Sequence, residues 1–171
     1  MGRTGPKTCV LGIDPGLAAT GYAVLEGGAA GCYRLLEGGV IATRPRLPLE
    51  ERLGQLHAGL WKAVRSFELA AVAVEELYAG SVNPKTALLM AHARGVCLLA
   101  AGQAGIPVYH YPATSIKQSV TGLGRASKAQ VQKMIQVVLK LDSPPRPDHV
   151  ADAIAVAICH LTHTFGRGSF S

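Results

Sequence analysis

Acidic residues stand out at three places because each ends or interrupts an apolar stretch. Asp14 ends a short β-branched run, and the pair Glu75 and Glu76 ends a second one. Asp152 lies inside ADAIAVAICHL, an otherwise apolar segment of helical character. Two carboxylates about 5 Å apart repel by roughly 3 kcal/mol at an effective dielectric of about 20, so a cluster of them takes up protons or binds a cation. Carboxylate-lined sites select Mg²⁺ or Mn²⁺, and two such ions can act on both sides of a phosphodiester displacement.

Each acid also has an ordinary structural interpretation. Asp14 precedes Pro-Gly and can be a turn former, and a Glu pair after a strand is often simply solvated. Strand alternation sends Glu75 and Glu76 to opposite faces, so only one can point into a shared site, and the pattern does not say which. Asp152 is harder to explain without a partner, because an unpaired buried carboxylate is costly.

Histidines accompany the last of these acids. His149 lies three residues before Asp152 on the same helical face, where it can be a ligand, a proton-transfer group or an ordinary helix residue. Asp148 is interpreted as a first-turn acid that the helix dipole favours. His160 and His163 form a second pair, but about 12 Å of helical rise separates residues 152 and 160. This second pair is therefore interpreted as structural or simply as surface.

Composition indicates one globular domain over 1–171, structured at about 8–164 and ending in a Gly/Ser-rich tail. Of the 171 residues, 49% are hydrophobic, which excludes a disordered protein. Lys and Arg number 17 against 11 acids, a formal charge of +6. A positive surface around a negative cation site suits a substrate that is itself a polyanion, and so favours nucleic-acid phosphodiester chemistry.

Neither a transmembrane helix nor a signal peptide is predicted, because the apolar stretches are too short. The four cysteines are scattered without a C-x-x-C pair, and each has apolar neighbours. We therefore expect reduced, buried thiols in a cytoplasmic protein, with neither disulfides nor a zinc site.

The elements that position the acids follow from hydrophobic periodicity and turn residues. Strands are predicted at about 8–13, 21–25, 33–41, 69–74 and 106–111, and helices at about 48–66, 83–102, 113–120 and 147–163, with one more helix capped by Ser127 and Gln130. A meander followed by βαβ units gives an α/β fold, a five-stranded mixed sheet with helices on both faces. If the first and fourth strands are parallel neighbours, Asp14 and the Glu pair meet at one sheet edge, where a packed helix can deliver Asp152.

Several segments in chain order carry a family resemblance: LGIDPGLAATGYAVLE, VAVEELY, ARGV, IKQSVTGLG followed by SKAQVQKM, and HVADAIAVAICH. Together they span nearly the whole chain and resemble the RuvC family, the Holliday-junction resolvases of bacteria. The resemblance implies a ribonuclease H-like fold, a homodimer, and magnesium-dependent symmetric nicking of four-way DNA junctions in recombination and repair. It also implies two ions per active site, 5′-phosphate and 3′-hydroxyl products, and partnership with the RuvAB branch-migration complex.

Matched residue by residue, the resemblance makes Asp14, Glu75 and Asp152 the metal-binding catalytic acids, and so chooses Glu75 over Glu76. Some family members have Asp where His149 stands, and others have His. We expect His149 to contact metal or the scissile phosphate. We also expect Mn²⁺ to substitute well for Mg²⁺, because an imidazole suits Mn²⁺ better than a carboxylate does.

Candidate DNA contacts follow from the resemblance and from charge. Tyr78 matches an aromatic position that stacks on junction bases, the alternative being an ordinary core or loop aromatic. Lys117 and Lys128 match lysines that contact DNA, and the helix containing ARGV matches the dimer interface. Four more cations are candidates for phosphate contacts on charge alone, with a solvated surface as the alternative: Lys85, Arg94, Arg125 and Lys133.

Two other functions remain open. The pattern D-P-G-x-x-x-T-G-Y also resembles the phosphate-binding hairpin of actin-like ATPases and sugar kinases, but those proteins need two such lobes to enclose a nucleotide. A non-catalytic junction-binding module is the second alternative. Such a module would tolerate loss of Asp14 and Asp152, whereas a nuclease would not.

Overall fold

The structure is a computed structural model that describes residues 7–28, 31–77 and 83–166. Its elements in chain order are β1 (Thr8–Asp14), β2 (Ala19–Gly27), β3 (Tyr33–Ala42), α1 (Leu49–Ser66), β4 (Ala71–Glu75), α2 (Pro84–Gln103), β5 (Val108–Tyr111), α3 (Ala113–Thr121), α4 (Lys128–Val138) and α5 (Asp148–Phe165). This is the order of strands and helices expected from the sequence.

The strands form one mixed sheet in the order β3-β2-β1-β4-β5. β1 and β2 are antiparallel, as are β2 and β3, which makes the predicted meander. β4 runs parallel to β1, and β5 runs parallel to β4. The five-stranded mixed sheet is therefore confirmed, and β1 and β4 are the parallel neighbours that the shared site requires.

Helices cover both faces of the sheet. On one side, called here the α5 face, strand residues pack against α3, α4 and α5: Val10, Ala23, Leu25, Ala71 and Ala73. On the other side, the α1/α2 face, strand residues pack against those two helices: Leu11, Ile13, Val24, Val72 and Val74. In the described ranges, no helix combines the length and the apolar character that a membrane span needs.

Two helix starts are capped as the sequence predicts. Asn83 accepts a hydrogen bond from the Thr86 amide at 2.9 Å at the start of α2. At the start of α4, Ser127 Oγ accepts from the Gln130 amide, and Gln130 Oε1 accepts from the Ser127 amide. This reciprocal pair is a capping box, which satisfies two amides that the helix itself leaves unpaired.

The fourth and fifth strands begin two residues later than predicted. Before β5, Gly105 has a φ of +68°, and the Ile106 amide donates back to Ala101 rather than to the sheet. Before β4, the Leu69 amide donates to the Phe67 carbonyl in a tight turn. In both cases local turn hydrogen bonds take the amides that the apolar pattern assigned to the strand.

The cysteine expectation is partly wrong. Cys97 and Cys159 are buried, but Cys9 is half-buried and Cys32 is exposed. Cys32 lies in the connection that leads into β3, and connections between strands run over the surface whatever their local hydrophobicity.

Candidate active site

Helix α5 lies directly on β1 and β2 because two strand positions lack a side chain. A Cβ atom at Gly12 would collide with the backbone of Ala153, and one at Gly21 would collide with the backbone of His149. Only glycine permits this approach, and it brings the first two turns of α5 against the carboxyl end of β1. Neither glycine was predicted to have this role, although a lone glycine inside a strand pattern is a recognised signal of close backbone approach.

The parallel pair β1 and β4 brings two acids to one edge of the sheet. Ile13 and Val74 are the last residues paired between these strands, and Asp14 and Glu75 follow them directly. Because side chains alternate, Asp14 lies on the α5 face with Gly12. Glu75 lies there with Ala73, whereas Glu76 is exposed. The alternation thus selects Glu75 from the pair once the face of β4 is known.

The first two turns of α5 add His149 and Asp152 to these acids. His149 Nδ1 lies 2.8 Å from Asp14 Oδ2. One ligand atom each from Asp14, His149 and Asp152 lies within 4.8 Å of the others, which is close enough to hold one metal ion. The Asp14 side chain is 20% exposed and that of His149 is 46% exposed, so the cluster opens to solvent.

Burial and mutual repulsion make this group of acids hard to ionise. Burial, together with the charges of Asp14 and Asp152, raises the pKa of Glu75 to about 7 against the opposing charge of Lys117. Burial also raises the pKa of Asp14, helped by Asp152 and opposed by the hydrogen bond from His149. An added cation would relieve both effects, because it stabilises the charged carboxylates.

Lys128 is the cation that already contacts the cluster. Its Nζ donates to Asp152 Oδ2 at 3.0 Å and lies 3.4 Å from Asp148 Oδ2. Burial lowers the pKa of Lys128, but the hydrogen bonds and charges of these two acids outweigh it and raise the pKa overall. Asp148 also accepts a hydrogen bond from Gln132 at 3.0 Å, which agrees with its interpretation as an exposed first-turn acid.

The remaining candidate residues are distributed as follows. Lys117, on α3, is half-buried and within electrostatic reach of Glu75. Lys85, in the first turn of α2, and Arg125, just before α4, are exposed. Arg94 is half-buried and turns inward to the backbone of Glu75. Tyr78 lies outside the described residues.

The second histidine pair has a structural role. His160 is buried, and its Nδ1 lies 2.8 Å from the Tyr111 hydroxyl. Burial lowers the pKa of His160, and the charge of His163 lowers it further. His163 Nδ1 donates to the Cys159 carbonyl at 2.8 Å. The His160 hydrogen bond joins α5 to β5, and the His163 ring lies beside Tyr111 of β5, with ring centroids 5.2 Å apart.

The donor set fits a hard divalent cation. It consists of two carboxylates and one imidazole, with the Glu75 carboxyl in electrostatic contact with both acids, and oxygen-rich sets of this kind suit Mg²⁺ and Mn²⁺. Asp14, Asp152 and His149 could bind one ion together, and Glu75 lies beside them. Burial first, and the neighbouring acids second, raise the pKa values of Asp14 and Glu75, and a bound cation would offset both causes.

A sequence model of the family described as "Crossover junction endodeoxyribonuclease RuvC" matches residues 10–160 of this chain. The chain belongs to the RuvC family. A protein from Rhodopirellula baltica, named crossover junction endodeoxyribonuclease RuvC, is 46% identical over 158 residues, covering 92% of this chain and 88% of that protein. The corresponding protein from Chloroflexus aggregans is 49% identical over 150 residues, covering 88% and 90%.

A solved structure of Thermus thermophilus RuvC has a TM-score of 0.85 and 40% identity, covering 93% of this chain and 97% of that one. A second T. thermophilus RuvC structure, in complex with a Holliday junction substrate, has a TM-score of 0.87 and 38% identity, covering 94% and 97%. The yeast mitochondrial resolvase Ydc2, 15% identical with a TM-score of 0.64, shares the fold. The predicted ribonuclease H-like fold, the RuvC family and the nuclease class are confirmed.

Proposed function

We propose that this RuvC-family protein resolves four-way DNA junctions by paired symmetric nicks, leaving 5′-phosphate and 3′-hydroxyl ends, in homologous recombination and DNA repair. The observation that carries the proposal is the convergence of Asp14, Glu75 and Asp152 at one sheet edge of a chain with a formal charge of +6. A negative site in a positive protein suits a polyanionic substrate whose reacting phosphate needs a bridging cation. The T. thermophilus relative solved with a Holliday junction supports the choice of substrate.

The residues that would hold metal are Asp14, Glu75, Asp152 and His149. Two Mg²⁺ ions per site are proposed, with Mn²⁺ able to replace them. Bound divalent ions supply positive charge against the charge that develops on the phosphate, and they lower the pKa of water. The protein contributes the alignment of these acids and their partial burial, which strengthens every electrostatic interaction in the site.

His149 is poised by its bond to Asp14. An ionised carboxylate can only accept, so Nδ1 of His149 carries a proton, and in the neutral ring Nε2 is the nitrogen with the lone pair. The His149 side chain is half exposed, so solvent and ligands can reach the ring. We expect His149→Ala to lower cleavage about tenfold and to reduce how well Mn²⁺ substitutes for Mg²⁺. Cleavage at the wild-type rate with both metals would remove His149 from the site.

The lysines and the aromatic residue are proposed to hold DNA. Lys128, Lys117, Lys85 and Arg125 would contact phosphates, and Tyr78 would stack on a junction base. Replacing Lys117 or Lys128 by Ala should weaken junction binding and reduce the salt slope by about one charge each. The exposed Lys62→Ala on α1, which is not among the candidate DNA contacts, is the control. An unchanged salt slope and cleavage rate in both variants would exclude these two contacts.

A homodimer is proposed because paired nicks on opposite strands need two sites related by a two-fold axis. Helix α2 presents an exposed apolar stripe: Leu88, Ala91, His92, Gly95, Val96 and Leu99. Leu88 and Leu99 are 63% and 53% exposed, which is costly unless a second copy covers them. Leu99→Glu should give a monomer in sedimentation, whereas Val137→Glu, at an equally exposed site on α4, should not.

The test of the function is incubation with a labelled four-way junction, and with a linear duplex of the same sequence, in Mg²⁺ or in chelator. Symmetric nicks in the junction alone, without ATP and lost in chelator, are expected. Binding without cleavage would indicate a junction-binding module, and ATP consumption would indicate a phosphotransferase. Asp14→Asn should bind the junction but cleave it about a thousandfold more slowly.

The cytoplasm is the proposed location, and the RuvAB complex is the proposed partner. Both follow from the family and from a role in recombination. Co-purification of the protein with RuvAB on a junction substrate would test the partnership. If the protein and RuvAB occupy the same junction without binding each other, the partnership is excluded.

A further inference from the structure

Arg94 lies on α2, on the α1/α2 face of the sheet, yet its guanidinium reaches the backbone of Glu75. Its Nε donates to the Glu75 carbonyl oxygen at 3.3 Å, and its Nη2 lies 2.7 Å from His110 Nδ1. A guanidinium only donates, so His110 Nδ1 is the acceptor and the ring proton is on Nε2. The two donors form one edge of the guanidinium plane, and so hold two acceptors in a fixed relation.

The backbone of Glu75 has fewer sheet hydrogen bonds than the residues before it, because it lies where β4 ends. The β1–β4 pairing stops at Ile13 with Val74, one residue earlier. On the other side, Glu75 is paired with Tyr111, and the Glu76 amide donates to the Tyr111 carbonyl at 2.9 Å. The Glu75 carbonyl points to Arg94, so this side chain holds the final peptide of the strand.

His110 links the same contact to the next strand. In the β4–β5 register it lies opposite Val74, and therefore on the α1/α2 face with Arg94. One side chain thus bonds β4, β5 and α2 together at the point where the Glu75 side chain leaves on the opposite face. The contact acts on the backbone, while burial, Asp14, Asp152 and Lys117 set the charge state of the carboxyl.

We propose that Arg94 is a positioning residue for Glu75: by holding the last carbonyl of β4 and His110 of β5 at once, it fixes the direction in which the Glu75 carboxylate meets Asp14 and Asp152. The proposal rests on the proposed function in one respect, because it takes Glu75 as a metal-binding acid. It gives Arg94 a role on the protein backbone in place of a phosphate contact.

The test compares Arg94→Lys with variants of His110 and with a control arginine. Lysine keeps the charge but cannot hold two acceptors in one plane. His110→Ala removes one acceptor, and His110→Asn restores an acceptor at the position of Nδ1. Arg65→Lys is the matched control, since Arg65 lies 5.6 Å over the Trp61 ring on α1.

The first readout is Mn²⁺ binding to the DNA-free protein by calorimetry or electron paramagnetic resonance. We expect Arg94→Lys to weaken it about 10- to 100-fold, the range seen when a group that orients a metal ligand is lost. His110→Ala should show part of this loss, His110→Asn should recover most of it, and Arg65→Lys should show none. The ¹⁵N resonance of His110 Nδ1 should also shift in Arg94→Lys, because the bond from Nη2 is lost.

The second readout is junction cleavage. Arg94→Lys should lower kcat about 10- to 100-fold while the junction Kd in chelator changes less than about twofold. A variant with wild-type Mn²⁺ affinity and wild-type kcat would overturn the proposal. So would a loss confined to the junction Kd, which would make Arg94 a phosphate contact.

The two proposals fail separately. If the wild-type protein cleaves no junction but Arg94→Lys still weakens Mn²⁺ binding, the proposed function is wrong and the positioning role stands. If the wild type cleaves junctions and Arg94→Lys keeps wild-type Mn²⁺ affinity and kcat, the proposed function stands and the positioning role is wrong. Should Arg94→Lys fail to fold, the pair His110→Ala and His110→Asn decides, and equal Mn²⁺ affinity in both would overturn the positioning role.

Discussion

The two faces of the sheet are built from side chains of different size. On the α1/α2 face, the strands present Leu11, Ile13, Val24, Val72 and Val74. On the α5 face, the same strands present mostly small residues: Gly12, Gly21, Ala23, Ala71 and Ala73. The larger Val10 and Leu25 lie at the end of β1 and β2 away from Asp14. Branched side chains therefore separate α1 and α2 from the sheet, whereas α5 lies much closer to it.

The size difference separates stability from chemistry. Large aliphatic side chains bury more apolar area, so the α1/α2 face carries more hydrophobic stabilisation for each strand residue. Small residues on the α5 face give up part of that stabilisation and gain proximity, which puts His149 and Asp152 beside Asp14. The acids are where the packing is closest because metal binding needs side chains within a few ångströms of one another.

Among substitutions that alter the packing of the two faces, Gly12→Ala is expected to lower cleavage most, because it breaks the close approach. The added Cβ would meet the backbone of Ala153, so α5 must move away from β1. We expect a stability loss of about 1–3 kcal/mol and a junction-cleavage rate about a hundredfold lower for the folded protein. Thermal melts with cleavage kinetics measure the two effects.

The control for this substitution is Gly54→Ala on α1, where an added Cβ meets nothing. It should leave cleavage unchanged and raise stability by about 0.5–1 kcal/mol. If Gly12→Ala cleaves junctions at the wild-type rate for each folded molecule, the close approach does not serve the site.

The next effect belongs to the other face. Leu60 is fully buried on α1, and Leu60→Ala should cost about 3 kcal/mol through lost burial and a cavity. Cleavage for each folded molecule should remain within about twofold, because no acid depends on this packing. Denaturant melts and active-site titration test this, and a large loss of kcat in the folded variant would contradict the separation of the two faces.

The smallest effect has the opposite sign and comes from Glu75→Gln without metal. Burial and neighbouring acids raise the pKa of Glu75 to about 7 in the folded protein. A raised pKa means that the contribution of this carboxyl to stability is present at low pH and is lost as pH rises through 7. Glutamine carries no charge, so Glu75→Gln should be more stable than the wild type by about 1 kcal/mol at pH 8, with no gain at pH 4.

Glu76→Gln is the control, since Glu76 is exposed. It should change the Tm by less than about 1 °C at either pH. A Glu75→Gln protein that is less stable than the wild type at pH 8 in chelator would show that the acids are not held against their repulsion.

Periodicity and residue alternation predicted most of the frame. Apolar runs and turn residues predicted the strands, whereas parallel pairing of β1 with β4 was a condition of the predicted site that the structure meets, bringing Asp14 and Glu75 to one edge. These signals are local in the sequence, so a single chain is enough to see them. The choice between Glu75 and Glu76 needed the face of β4, which only tertiary packing settles.

Contacts between distant elements were not predictable. The Arg94 guanidinium contacts Glu75, 19 positions away, and His110, 16 positions away. The charge of Arg94 alone suggested a phosphate contact. Gly12 was visible as a glycine in a strand, but its neighbour Ala153 lies at the far end of the chain. Such pairings depend on how helices sit on the sheet, and no period in the sequence encodes that.

The seating of α5 on Gly12 and Gly21 reduces the number of ways in which the site can be misaligned. His149 and Asp152 move together because one helical turn joins them, and Asp14 and Glu75 move together because neighbouring strands hold them. Four donor groups therefore form two rigid bodies, and their alignment is one displacement of helix against sheet. The backbone contact of α5 with Gly12 and Gly21 therefore fixes the distances from His149 and Asp152 to Asp14 and Glu75 together.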